Sequence, residues 1–276
     1  MASPLRPLHA QLQDCLVGEL THAATCCARD VHGARKRCKK LRGMLRLLRK
    51  PLGTRYGDAN RAARDAARLL AGRREHQVAV SLCATLDARF PDSGWQRVAD
   101  GLDRAAADTD GNASSRARTL LDDLRASLEA EPLPPLTPED LAEGLLEGYR
   151  RARRGLRNAQ AHPAHPAALH EWRKDAKYHM HQVALLAPLW PALKSRRKRL
   201  ARLCDALGDH HDRHDLALRM AGMHGGPAAG ERSLLHAQLQ REQERLAARA
   251  LRQGERCFAR GARTWWRESV AGPVHR

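Results

Sequence analysis

Val31–Lys50 reads VHGARKRCKKLRGMLRLLRK. At about 100° per residue along a helix, His32, Arg35, Lys39, Arg42 and Arg46 fall within roughly a quarter of the circumference. Ala34, Cys38, Leu41, Leu45 and Leu48 form an apolar stripe about a third of a turn away. One face can be buried while its neighbour carries an imidazole and four fixed cations. Charges on an exposed helix normally alternate in sign, because i,i+4 Glu–Lys pairs stabilise it and like pairs at that spacing oppose it. No acid stands between Val31 and Lys50. The stretch is therefore either a solvated basic face or part of a site whose negative partner lies elsewhere.

The pattern recurs at Leu169–Leu186, LHEWRKDAKYHMHQVALL. His170, Arg173, Lys177 and His181 take the cationic face, and Trp172, Ala176, Val183 and Leu186 take the apolar one. Both copies run His, then Arg three residues on, then Lys four further. A chance run of charge would not repeat in phase behind a histidine, so the recurrence favours a binding site. The surroundings repeat as well: Leu70-Ala-Gly-Arg-Arg74-Glu75 stands to the first basic helix as Leu207-Gly-Asp-His-His211-Asp212 stands to the second. We read a duplicated helical unit, two halves about a pseudo-two-fold; if they face each other, both basic stripes line one central cleft.

Composition agrees with an all-α fold. The chain has no Ile and little Val, while Leu, Ala, Arg, Glu and Gln abound, which favours helix over strand. Its 276 residues are enough for a substantial core. The net charge of +18 draws anions whatever their identity. Only eight of the 49 basic residues are Lys; the rest are Arg, the side chain suited to bidentate phosphate contact. The seven cysteines form no Cys-x-x-Cys pair, and structural thiols in a reducing compartment are the simpler reading. With no apolar run long enough to span a bilayer and no signal peptide at Met1–His9, the expectation is a cytoplasmic protein without membrane attachment.

Along the chain, helices are expected over 5–28, then from an Asp30 cap to Pro51–Gly53, and over 59–71 behind an Asp58 cap. Further helices are expected near 73–89, 93–108 and 114–130, with a turn at Asp110-Gly111-Asn112. The Pro-rich segment 131–136 separates a first half, 5–131, from a second, 137–276. Thr137-Pro138-Glu139-Asp140 is a strong helix start, and this helix carries Arg150, Arg151, Arg153, Arg154 and Arg157. The second basic helix closes at Pro188–Pro191. Leu193–Leu207 follows with the run Lys194, Arg196, Arg197, Lys198, Arg199 and Arg202. It is expected to stop at Gly208, with Asp209 capping the next helix. Gly225-Gly226-Pro227 reads as a loop, 231–260 as a long helix, and Trp265-Trp266 as a short tail.

These residues resemble the CHAD domain, the conserved-histidine α-helical domain. The resemblance rests on the two copies of His-x-x-Arg-x-x-x-Lys, His32/Arg35/Lys39 with Arg42 and His170/Arg173/Lys177, and on the downstream Leu207-Gly208 and His211-Asp212. Leu169–Lys174 and Trp190-Pro191 look especially like that family's second half. Two positions depart from it: Met180 stands where the first copy has Arg42, and Glu75 replaces the usual Asp. The resemblance covers nearly the whole chain as a single domain, 1–276. It implies an all-α fold of two pseudo-symmetric helical-bundle halves around a central basic cleft or pore that binds inorganic polyphosphate, and association with polyphosphate granules and their proteins. Some family members carry a triphosphate-tunnel domain with a Glu-x-Glu-x-Lys signature. Here Glu129-Ala-Glu131 runs into Pro132 instead, so this looks like a stand-alone member.

Polyphosphate carries about one charge per phosphate, and cations at one-turn intervals of about 5.4 Å can meet successive phosphates. Arg35, Lys39, Arg42, Arg46, Arg173 and Lys177 are expected to touch it. Arg153, Lys198, Arg202, Arg64, Arg68 and His211 are expected in a second rank. His32 and His170 could donate to phosphate, orient the cations, or be buried and satisfied by a carbonyl; their phase with Arg and Lys favours phosphate contact. A histidine near its ordinary pKa of about 6.5 would then give tighter binding at pH 6 than at pH 8.

Two other functions compete. Nucleic acid shares the electrostatics, but aromatic residues are only 4% of the chain, and single-strand binders stack bases on aromatic rings. A metal-dependent phosphate-processing enzyme could use His210, His211, Asp212, His214 and Asp215, where one-turn spacings suit chelation. No partner motif closes such a site, so neither a metal nor a cofactor is expected. No nucleophile motif or P-loop is present, and an enzyme is not expected.

Overall fold

Asp30 caps the first basic helix as its sequence suggests: its carboxylate accepts the Gly33 N–H at 2.8 Å. In the computed structural model, which describes residues 6–104, 112–163, 165–223 and 227–271 (72–74 by backbone only), every regular element is a helix. The first part of the chain forms α1 (Leu8–Arg29), α2 (Val31–Leu47), the single turn α3 (Arg49–Leu52), α4 (Arg55–Leu69), α5 (Ala71–Arg89), α6 (Trp95–Arg104) and α7 (Ala113–Ala130). The second part forms α8 (Pro138–Ala161), α9 (Pro166–Leu186), α10 (Leu193–Ala221), α11 (Ala229–Phe258) and α12 (Ala262–Trp266), which runs into a π turn at Arg267–Ala271.

Packing closes two rings of four helices. α1, α2, α4 and α7 neighbour one another in the first, and α8, α9, α10 and α11 in the second. One apolar core runs through both rings, from Leu12 and Leu16 of α1 to Phe258 of α11 and Trp265 of α12. α5 and α6 pack as a pair and reach across to the second ring. There Cys83, Leu86, Trp95 and Val98 bury against Leu216, Met220, Leu235 and Leu239 in a separate core. The segment joining the halves is anchored by Leu133, which is buried and whose N–H is accepted by Gln13 Oε1. Thr137 and Asp140 then form the reciprocal capping box that starts α8.

Several boundaries differ from expectation. α4 begins at Arg55, so Asp58 lies in its first turn rather than capping it. α10 passes through Gly208 and Asp209 without a break. A glycine inside a helix costs about 1 kcal/mol, and burial of Leu203 and Leu207 before it in the main core and of Leu216 and Met220 after it in the separate core outweighs that. The Trp265-Trp266 tail is no appendage, since Trp265 stacks on Tyr149 with ring centroids 4.6 Å apart. The expected turn at Asp110-Gly111 and the Gly225-Gly226 loop lie outside the described residues. No described helix is long and apolar enough to cross a membrane, and all seven cysteines are free.

The two rings meet where α2 crosses α9, with α8 close behind. Gly43 touches α9, and the Leu47 carbonyl of α2 lies directly against Gly144 of α8, leaving no room for a side chain there. That crossing brings the two basic helices together.

Candidate anion site where two basic helices cross

On α2 the apolar stripe is fully buried, with Ala34, Cys38, Leu41, Leu45 and Leu48 inaccessible to solvent, while Arg35, Lys39, Arg42 and Arg46 are half-buried and His32 is exposed. On α9 Trp172, Ala176, Val183 and Leu186 are buried in the same manner. Burial pushes the Cys38 and Cys204 thiols up to about 12, so these cysteines are inert packing groups.

The cationic faces converge. His211 of α10 is held down at about 3, first by burial and then by the charges of Arg173, His170, Lys39 and His214. His181 of α9 is also held at about 3, by burial and then by Lys177, Lys40, Lys36 and Lys39. Lys39 of α2 therefore lies within electrostatic reach of both imidazoles, and α2, α9 and α10 contribute basic groups to one patch.

A hydrogen-bonded chain crosses that patch. His211 Nε2 stands 3.2 Å from an Asp215 oxygen, and its Nδ1 stands 3.3 Å from His170 Nδ1. The carboxylate takes the His211 Nε2–H, so neutral His211 accepts through Nδ1 and His170 donates its own Nδ1–H. His170 Nε2 is then a bare lone pair, able to donate to an anion only when the ring is protonated. Burial and the nearby Lys174 lower the pKa of His170.

Glu75, read as a departure from the pattern, bridges two arginines: Arg35 at 3.5 Å and Arg219 of α10 at 3.5 Å. At the other end of α2, Arg42 Nε donates to Asn60 at 3.2 Å. Arg42 and Arg46 both lie over the Tyr178 ring, 5.2 and 4.4 Å from its centroid. Burial lowers the pKa of Arg42, with Arg46 and Arg64 adding to the effect. Beyond Arg46 a shallow cleft is lined by Arg49, Tyr56, Tyr178 and Gln182, and by the Arg151–Asp175 pair.

The structure brings together Arg35, Lys39, Arg173, Lys177, His170 and His211, with Arg42, Arg46 and Arg64 at one end. His32 is exposed in the first turn of α2, and the remaining expected residues lie elsewhere. Arg153 Nε donates to the Phe258 carbonyl at 3.1 Å, on the seam between α8 and α11. Arg68 is exposed beside Asp65, which also holds Arg64 at 2.9 Å. Lys198 and Arg202 are exposed on the outer side of α10. Two contributors escaped the sequence reading. Tyr178 carries no charge, and its place in the second copy is that of Lys40. Arg219 lies one helical turn beyond Asp215, and only that i,i+4 spacing marked it. Among the described residues no three His, Cys, Asp or Glu side chains are grouped to hold a metal ion; His211 and Asp215 bond each other instead.

The family model of the CHAD domain matches residues 10–221. No curated protein matches the sequence. Among solved structures the chain is similar to PptA from Streptomyces chartreusis, with a TM-score of 0.66 and 19% identity over 91% of this chain and 99% of that one. This likeness is one of fold.

Proposed function

Because the chain belongs to the CHAD domain family, we propose that it binds inorganic polyphosphate, without transforming it, on the surface shared by α2, α9 and α10. The observation that carries this reading is the convergence of Lys39, Arg173, Lys177 and His211 from three helices. A linear chain of phosphates supplies the negative charge that such a patch lacks, and counterions released from it drive association. Arg35, Arg42 and Arg46 extend the patch along α2, and His32 and His170 head the two rows. Glu75 and Asp215, two carboxylates beside the patch, are engaged by Arg35, Arg219 and His211. That arrangement suits holding an anion rather than transferring a phosphoryl group. Nucleic acid is disfavoured because Tyr178 is 8% exposed and covered by two guanidinium groups, and Tyr56 in the adjoining cleft lies under Arg49, which leaves these rings poorly placed to stack a base. On this reading the protein is tethered to polyphosphate granules in the cytoplasm.

Calorimetric titration with polyphosphates of graded length tests the proposal. Lys39→Glu combined with Lys177→Glu is expected to weaken binding at least about tenfold at low salt, and to reduce the slope of log K against log salt by about 0.7 per lost contact. Unchanged binding by that variant, or displacement of bound polyphosphate by RNA at equal phosphate concentration, would remove this surface from consideration.

A further inference from the structure

The outer side of α11 carries a second cationic row, separate from the crossing of α2 and α9. Arg241, Arg245, Arg249, Arg252 and Arg256 follow one another at intervals of four, four, three and four residues, and all five are exposed. At about 100° per residue they share roughly a quarter of the helix surface. At 1.5 Å per residue the row is about 22 Å long. Arg245 is tied to Glu242 at 3.0 Å. No ion pair holds Arg241, Arg252 or Arg256 among the described residues, and the acids of α11 lie off the row. Glu242 is buried beneath it, Glu244 accepts from Gln240, and Glu255 accepts from Gln160 of α8. Like charges at this spacing oppose helix formation, so the row is not there for the helix's own stability.

α10 extends the row. The two helices run antiparallel, in a register that puts Arg213 on Glu242 at 3.7 Å and Asp209 within the field of Arg249. The same register brings Arg202 level with Arg256, and places Lys198 one turn further on. These two cations are thus accounted for here, rather than in the patch at the helix crossing. Asp205 and Asp209 share their face of α10 and by the same register lie level with Arg252 and Arg249, so the density of uncompensated charge is greatest towards Arg256 and Lys198.

Position separates this row from the first site. α11 packs on α8 and α10, whereas α2 is crossed by α9, with α8 behind it. α9 and α11 are diagonal in the ring, so their outer faces point apart. α11 also lies beyond residues 10–221, the stretch matched by the family model. No aromatic side chain stands among the five arginines, so the face reads charge and not bases.

We propose that the α11 row, with Arg202 and Lys198, is a second polyphosphate-contacting surface, and that the protein thereby bridges two polyphosphate segments. The identity of the ligand rests on the function proposed above; the separateness of the surface does not. Two contact surfaces facing apart cannot both lie along one short chain. A long chain, or two chains, can engage both, and each molecule then becomes a cross-link.

The test compares wild type with Arg249→Glu/Arg252→Glu/Arg256→Glu, substitutions at exposed positions, after circular dichroism confirms that the variant keeps its helicity and melting temperature. Titration with a short chain counts sites, and light scattering with long-chain polyphosphate reports cross-linking. Wild type is expected to take up two short chains and to scatter strongly. The triple variant is expected to take up one, with scattering reduced by about tenfold or more because three attractive contacts become repulsive. Lys39→Glu/Lys177→Glu is expected to retain the weaker of the two sites. If the triple variant matches wild type in both readouts, the second surface does not exist. If wild type takes up one short chain and Lys39→Glu/Lys177→Glu abolishes it, the α2–α9 site stands and the α11 row falls. If wild type takes up none, both readings fall.

Discussion

Gly43 of α2 lies so close to His181 of α9 that a methyl group on it would stand 2.9 Å from the His181 Cβ and 3.3 Å from the Tyr178 carbonyl oxygen. Gly43 and His181 hold the same place in their copies of the basic motif, each eleven residues after the leading histidine. The copies therefore meet at corresponding positions, and only one of the two can carry a side chain there. Alanine is the better helix former by about 1 kcal/mol, yet Gly43→Ala is expected to destabilise the protein by about 1–3 kcal/mol, because a backbone-proximal methyl forces the helices apart. Gly208→Ala, where nothing lies within 4 Å of the new methyl, is expected to stabilise by about 0.5–1 kcal/mol. Urea unfolding of both variants checks the pair; a stabilised Gly43→Ala would mean that the crossing is looser than described.

The faces of α2 and α9 were legible because helical periodicity alone separates Cys38, Leu41 and Leu45 from Arg35, Lys39 and Arg42. The starts at Asp30 and Thr137 were legible because capping is local chemistry. What stayed hidden depends on partners distant in sequence. Nothing local says that Glu75 bridges Arg35 and Arg219, or that Tyr178 seats Arg42 and Arg46. Gly208 and Asp209 carry a stop-and-cap signal that is overridden by the residues of α10 buried before and after them, in two different cores. Arg196 misleads most: it stands in a run of solvated cations, yet it is only 4% exposed.

Arg196 is enclosed by the rings of Tyr149, Phe258 and Trp265, at 4.8, 5.4 and 4.2 Å from their centroids, and meets His179 Nε2 at 3.4 Å. Burial brings the guanidinium pKa down to about 10, so it stays charged at neutral pH. Among the described residues no carboxylate pairs with it, and the aromatic faces compensate the charge. Arg196→Ala is expected to cost about 3 kcal/mol by emptying the box, and to speed tryptic release of the segment from α12 onward. Arg196→Met, which fills the space without charge, is expected to recover most of that loss. Equal stability of the Ala and Met variants would show that packing in the box contributes little.

Glu242 is 6% exposed and draws in Arg89 at 2.7 Å, Arg245 at 3.0 Å and Arg213 at 3.7 Å. The cluster ties α5 to α10 and α11, so it fastens the helix pair that reaches across from the first ring. Glu242→Gln leaves the largely buried Arg213 without its carboxylate and is expected to cost about 3–5 kcal/mol. Arg89→Ala, at the half-exposed rim, is expected to cost about 1 kcal/mol or less. Hydrogen exchange should locate the loosening in α5 and α6; protection lost instead across α1 and α7 would contradict this assignment.

Histidine titration links the site to pH. His181 and His211 are held at about 3 and His210 at about 4, each chiefly by burial and then by neighbouring positive charge. Their folded pKa values lie below the unfolded value of about 6.5, so the unfolded chain binds more protons across that interval. The stability they contribute is full above it and is lost as pH falls through it, each imidazole costing roughly 2 kcal/mol by pH 5. The melting temperature is therefore expected to fall steeply below about pH 6, and less steeply in His181→Gln. A bound polyanion favours the protonated rings and raises their pKa values, so binding takes up protons. The pH 6 to pH 8 contrast expected for an unperturbed histidine accordingly shifts downward. Affinity for polyphosphate is expected to be nearly flat from about pH 8 to 7 and to strengthen only below the ordinary histidine range. Calorimetry in buffers of different ionisation enthalpy measures the proton uptake directly. No uptake in wild type at about pH 5.5, or the same uptake in His170→Gln/His211→Gln, would place these imidazoles outside the ligand's field.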